Sequence, residues 1–118
     1  MLIYYTYVRA KRISKKIRDL TKKIATYNNP EKIILFGSYA WGKPGLDSDI
    51  DICVIEHGIS DRRERQLRLR KLLFGAGLPV DVLSYTPEEI KKRLSCGDFF
   101  VKNILSKGAS LYERKENT

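Results

Sequence analysis

GSYAWGKPGLDSDIDICVI, residues 37 to 55, opens on Gly-Ser, passes through a loop holding Pro44 and Gly45, and ends in an apolar run into which Asp49 and Asp51 are carried. Side chains alternate across a strand, so Asp49, Asp51 and Cys53 face one way while Ile50, Ile52 and Val54 face the other. The two acids then lie side by side, with Cα atoms about 6 to 7 Å apart. VDVLSY, residues 80 to 85, repeats the device with Asp81 inside another run of strand formers. Neither run contains a Lys or Arg. Three ionised carboxylates on neighbouring buried strands are costly to hold without positive charge.

A hard divalent cation answers that need. Mg²⁺ takes oxygen ligands, a few carboxylates with water and phosphate oxygens. Three acids suit a pair of ions about 3.5 to 4 Å apart, the arrangement that clamps the attacking and leaving oxygens in phosphoryl and nucleotidyl chemistry. Gly37 and Ser38 supply a complement. A strand that ends in Gly and opens a helix at Ser leaves backbone N–H groups and a hydroxyl pointing outward, a seat for a phosphate.

Working outward, KIILF (residues 32 to 36) reads as a buried strand closed by Gly37, with Ser38 as the N-cap of a short turn through Trp41. Upstream, Ile13, Ile17, Leu20 and Ile24 recur at helical spacing, predicting an amphipathic helix from Lys11 to Tyr27 that Asn28, Asn29 and Pro30 stop. Residues 1 to 10 are ambiguous, since MLIYYTYV has high strand propensity and no turn signal follows it; extra N-terminal structure or an association surface is expected there. Downstream, residues 60 to 74 read as a helix capped by Ser60 or Asp61, and Thr86-Pro87-Glu88-Glu89 spells the start of another. A further helix spans 99 to 106, SLYE adds a brief strand, and residues 114 to 118 form a frayed tail. The expected fold class is α/β (α+β): one domain over 1–118, with a small mixed sheet of three to four strands flanked by helices.

Composition narrows the classes further. The chain has 118 residues, 42% hydrophobic and 31% charged, which is the balance of a globular protein. No apolar run approaches the roughly 20 residues that span a bilayer. MLIYYTYV lacks a basic flank and a cleavage site, so a cytoplasmic protein without membrane attachment is expected. Cys53 and Cys96 give no disulfide framework. The net charge is +9, of which residues 1 to 27 supply +7, and a second basic block runs from Arg62 to Lys71. Neither block is interleaved with aromatics, so solvated helix faces are favoured over a nucleic-acid surface. Trp41 is expected to pack in the core, Cys53 to act as a small buried hydrophobe, and His57 to have no ligand or base role.

Gly37-Ser38, the spacer 39–48, Asp49-Ile50-Asp51 and the later Asp81 together resemble the signature of the nucleotidyltransferase superfamily of the DNA polymerase β type. The length and the ending FFVKNILSKGASLYE resemble its stand-alone minimal nucleotidyltransferases. The resemblance implies that Asp49, Asp51 and Asp81 are catalytic and hold two Mg²⁺ ions, and that Gly37, Ser38 and Lys43 bind the nucleotide. It further implies transfer of AMP from ATP to a tyrosine of a HEPN-domain toxin, with this chain as the antitoxin in a hetero-oligomer or a homodimer. Two other readings stay open: an antitoxin that neutralises by docking alone, and nucleotide addition to RNA. One departure is that many relatives have Ala-Arg-Gly where this chain has Ala40-Trp41-Gly42.

Overall fold

The structure, a computed structural model, describes residues 2–42, 49–58 and 61–115, with side chains described from residue 14 onward. Lys43, Ser60 and the last three residues of the expected frayed tail therefore lie outside the described residues. Four strands form one sheet: β1 (Lys32–Phe36), β2 (Ile50–Ile55), β3 (Val80–Tyr85) and β4 (Ala109–Glu113). Their order is β3-β2-β1-β4. β1 is antiparallel to β2 and β4, and β2 is parallel to β3. The parallel pair requires a crossover, provided by helix α3 (Arg62–Leu72). Helices α1 (Leu2–Asn28), α2 (Ser38–Trp41), α4 (Pro87–Ser95) and α5 (Phe99–Lys107) are the other helices among the described residues.

The helix ends follow local chemistry. Asp61 accepts from Glu64 N–H at the start of α3. Thr86 and Glu89 close a reciprocal capping box at α4, and Asp98 accepts from Phe100 and Val101 N–H at α5. α1 stops where Asn29 takes φ 43°, just before Pro30. Its beginning differs from the expectation, because residues 2–10 continue the helix instead of forming separate structure. Strand propensity expresses fit to a pleated neighbour. No strand pairs with these residues, and with no Gly or Pro before Asn28, propagation gains a hydrogen bond per residue.

Alternation sorts the strand residues into two layers. Ile33, Leu35, Ile50, Ile52, Val54 and Val82 pack with Ile17, Leu20 and Ile24 of α1 and with Leu69 and Leu73 around α3. Ile34, Phe36, Cys53, Ile55 and Tyr85 pack on the opposite face with Ile90 of α4 and with Val101 and Ile104 of α5. Cover on both faces explains why β2 reads as nearly continuous apolar sequence.

A buried polar knot, which no sequence pattern announces, ties the crossover to the sheet. Arg65 is only 2% exposed. Its Nε donates to Ser84 Oγ at 3.0 Å and its Nη2 to Glu89. The buried carboxylate of Glu56 accepts from Asn28 at the end of α1.

Candidate active site

β1 delivers the chain to Gly37, whose φ of 76° and ψ of −157° lie where side chains are rarely tolerated. Gly37 holds the N-cap position of α2, so Ser38 is the first residue of the turn and not its cap. The N–H groups of Ala40 and Trp41 return to Gly37 O at 3.0 and 2.9 Å. Those of Ser38 and Tyr39 have no acceptor among the described residues.

The bareness of Gly37 has a second use. A Cβ placed there would stand 2.1 Å from Oδ2 and 3.0 Å from Cγ of Asp51. Asp51 thus lies flush against the backbone where the strand turns into α2, and Phe36 is its partner across the β1–β2 ladder. On its other side Asp51 is in direct register with Asp81 of β3. Asp49 sits one residue before β2 begins. The sheet therefore gathers the three acids at one end, on the face that α4 and α5 cover farther along.

One expectation is corrected. The acids are not all buried: Asp49 and Asp81 are exposed and Asp51 is half-buried. The reason is that Asp49 precedes its strand and Asp81 lies near the start of the edge strand β3, so the helical cover, which reaches Phe36 through α5, leaves that corner of the sheet open. Asp51 still feels the crowding, since burial, then Asp81, then Asp49 push its carboxyl above the ordinary 3.8. Ion pairs among the described residues lie elsewhere, for example at Lys32–Glu113, His57–Glu31, Arg65–Glu89 and Arg93–Asp98. A half-buried acid pressed by two others, with oxygen-only donors, fits a hard cation. The carboxylates are neighbours and not a closed cage, since no three His, Cys, Asp or Glu among the described residues form a ready ligand set.

Aromatic rings border the acids. Phe36 meets Phe100 edge-on at 5.8 Å and Trp41 at 6.2 Å between centroids. Trp41 is 43% exposed, contrary to the expectation of core packing, because α2 buries none of its residues. Alternation along β1 could have placed Phe36 beside Asp51, whereas Phe100 reaches the site only through the tertiary placement of α5. Cys53, next along the acid face, is buried, and that burial pushes its thiol up to about 12, in keeping with a hydrophobe. His57 pairs with Glu31 at 3.0 Å beyond the other end of β2, away from the acids.

Residues 11–111 match the family model of the nucleotidyltransferase domain. The chain belongs to that family. This nucleotidyltransferase is 35% identical over 82 residues to a Methanocaldococcus jannaschii protein provisionally named a protein adenylyltransferase, a match covering 70% of this chain and 78% of the relative. A crystal structure of a provisionally named nucleotidyltransferase from Sulfolobus solfataricus superposes with a TM-score of 0.62 at 23% identity, covering 87% of this chain and 82% of that one. That likeness bears out the expected fold, a small mixed sheet flanked by helices. A toxin–antitoxin crystal structure with AMP-PNP aligns with a TM-score of 0.49 at 25% identity, over 83% of this chain and 74% of that one. Among the described residues of the nucleotidyltransferase, no helix is long and apolar enough to cross a membrane.

Proposed function

We propose that this nucleotidyltransferase moves AMP from ATP to a tyrosine hydroxyl of a HEPN-domain toxin, silencing it as a cytoplasmic antitoxin. The observation that carries the chemistry is Asp51, held against Gly37 and facing Asp81 in register, where a cation would relieve its crowding. The M. jannaschii relative, named for adenylyl transfer to protein, supports a protein acceptor. The toxin class and the tyrosine come from the resemblance of the Gly-Ser and Asp-x-Asp signature to minimal nucleotidyltransferases.

In this reading Asp49, Asp51 and Asp81 hold two Mg²⁺ ions. Bound there, Mg²⁺ supplies positive charge to the triphosphate and lowers the pKa of the acceptor hydroxyl. The Ser38 hydroxyl and the N–H groups of Ser38 and Tyr39 orient the outer phosphates, with Lys43 as a further contact. Asp81, exposed at the open end of the sheet, stands where an acceptor can approach. The acceptor oxygen forms its bond to the α-phosphorus as the bond to pyrophosphate breaks, so the protein's part is positioning and charge placement.

α1 and α3, which carry the two basic blocks, pack through Ile17, Leu20, Ile24 and Leu69 on the sheet face opposite the acids, and this favours a protein acceptor over RNA. The test is transfer of labelled AMP by the co-purified chain and partner. Label on the partner is expected, with loss in Asp49→Asn and Asp51→Asn. Undiminished transfer in those variants, label on RNA alone, or full neutralisation without ATP would each defeat the reading.

A further inference from the structure

At the other end of β3 from Asp81, a second group of charges surrounds Tyr85. The guanidinium carbon of Arg62, at the start of α3, lies 4.3 Å from the Tyr85 ring centroid. Its Nε donates to the carbonyl oxygen of Ser84 at 3.0 Å. These two contacts fix the plane of the guanidinium and use one of its N–H groups. Its terminal amino groups have no hydrogen-bond partner among the described residues.

Lys92 and Arg93 of α4 border the same cavity of about 320 Å³, together with Glu89 and Cys96. The one carboxylate in that wall is already engaged, since Glu89 Oε1 accepts from Arg65 and from Thr86 N–H. Arg93 has only a 4.0 Å approach to Asp98. Positive charge in the cavity therefore exceeds what its walls cancel, and an oriented guanidinium fork faces the gap.

We propose that this cavity is a binding site for a phosphate group, gripped in the plane of the Arg62 fork and flanked by Lys92 and Arg93. A fork with its Nε occupied still offers two parallel N–H donors, the geometry that matches two phosphate oxygens. Its volume lies at the small end of the range for small-molecule sites. The site is separate from the acids. Tyr85 lies four residues beyond Asp81, about 13 Å along the strand, so a phosphate here does not touch the carboxylates. The inference does not depend on the proposed AMP transfer.

The test uses the whole chain, with a chelator present so that the acids carry no divalent cation. Inorganic phosphate and AMP are titrated by calorimetry at matched ionic strength. In parallel, the alkylation rate of the exposed Cys96 is followed with the buried Cys53 as the internal control. Saturable binding by either ligand is expected, with slowed Cys96 labelling. AMP binding more tightly than phosphate, with the advantage lost in Arg62→Gln, identifies a nucleotide ligand of this cavity, and equal binding a free phosphate. Arg62→Gln should weaken binding roughly tenfold or more, as expected for loss of a charge-assisted pair. Arg93→Gln, at an exposed side chain that leaves the fold intact, should weaken it as well. Absence of saturable binding, equal protection by chloride, or unchanged affinity in both variants overturns the proposal.

Discussion

Replacing Gly37 by Ala tests the coupling between the turn and the acids at a single methyl group. Two costs follow from the structure. The conformation at φ 76°, ψ −157° is reserved almost entirely for glycine, and forcing another residue into it costs about 1–3 kcal/mol. The new Cβ would also lie 2.1 Å from Asp51 Oδ2, so the methyl and the carboxylate cannot both keep their places. Urea unfolding should register the first cost as a lower midpoint with an unchanged slope. The second should appear as lost AMP transfer even in cold buffer, where the variant is fully folded. Gly42→Ala is the matched control, five residues on, with nothing among the described residues within 4 Å of the added methyl. A Gly37→Ala protein that transfers AMP at the wild-type rate while folded would refute the claim that Asp51 needs the bare backbone.

Two further outcomes can be checked on the isolated chain. Asp51 is held above its ordinary 3.8 chiefly by burial, so its contribution favours the metal-free fold at low pH and is lost as pH rises through the raised value. Asp51→Asn should therefore flatten that part of the melting temperature against pH and raise the neutral-pH melting temperature of metal-free protein. A variant with the wild-type slope would contradict the assignment. Arg65→Met should destabilise by about 3 kcal/mol, the low end for a broken buried pair because Glu89 keeps access to water. Chemical denaturation measures this directly, and a change near zero would mean the knot at Ser84 and Glu89 contributes no net stability.

Alternation and caps make most of the framework legible in the sequence alone. Asp49 and Asp51 share a face because a strand has period two, and Thr86-Pro87-Glu88-Glu89 starts a helix because its groups satisfy one another locally. What escaped was tertiary. Residues 2–10 look like strand by propensity, yet a strand needs a neighbour, and no described strand pairs with them. Trp41 looks like a core residue by type, but the four-residue turn it sits on fully buries none of its side chains. Arg65 reads as one more cation in a basic block, and only the packing of α3 against Ser84 and Glu89 reveals it as interior. Even the acids were legible in direction and not in depth, since their exposure depends on where α4 and α5 stop covering the sheet.

The in-register pairing of Asp51 with Asp81 has a consequence for how the chain tolerates insertions. Slipping β3 by one residue would turn its acid to the opposite side of the sheet and bring a valine into its place. The register is held by the strand's own alternation, with Val82 buried and Asp81 turned to the other face. A one-residue insertion in the link of residues 73 to 79, which carries Gly75 and Gly77, is therefore absorbed by the loop, whereas one inside β3 between Asp81 and Val82 forces a choice between burying the valine and keeping the third acid.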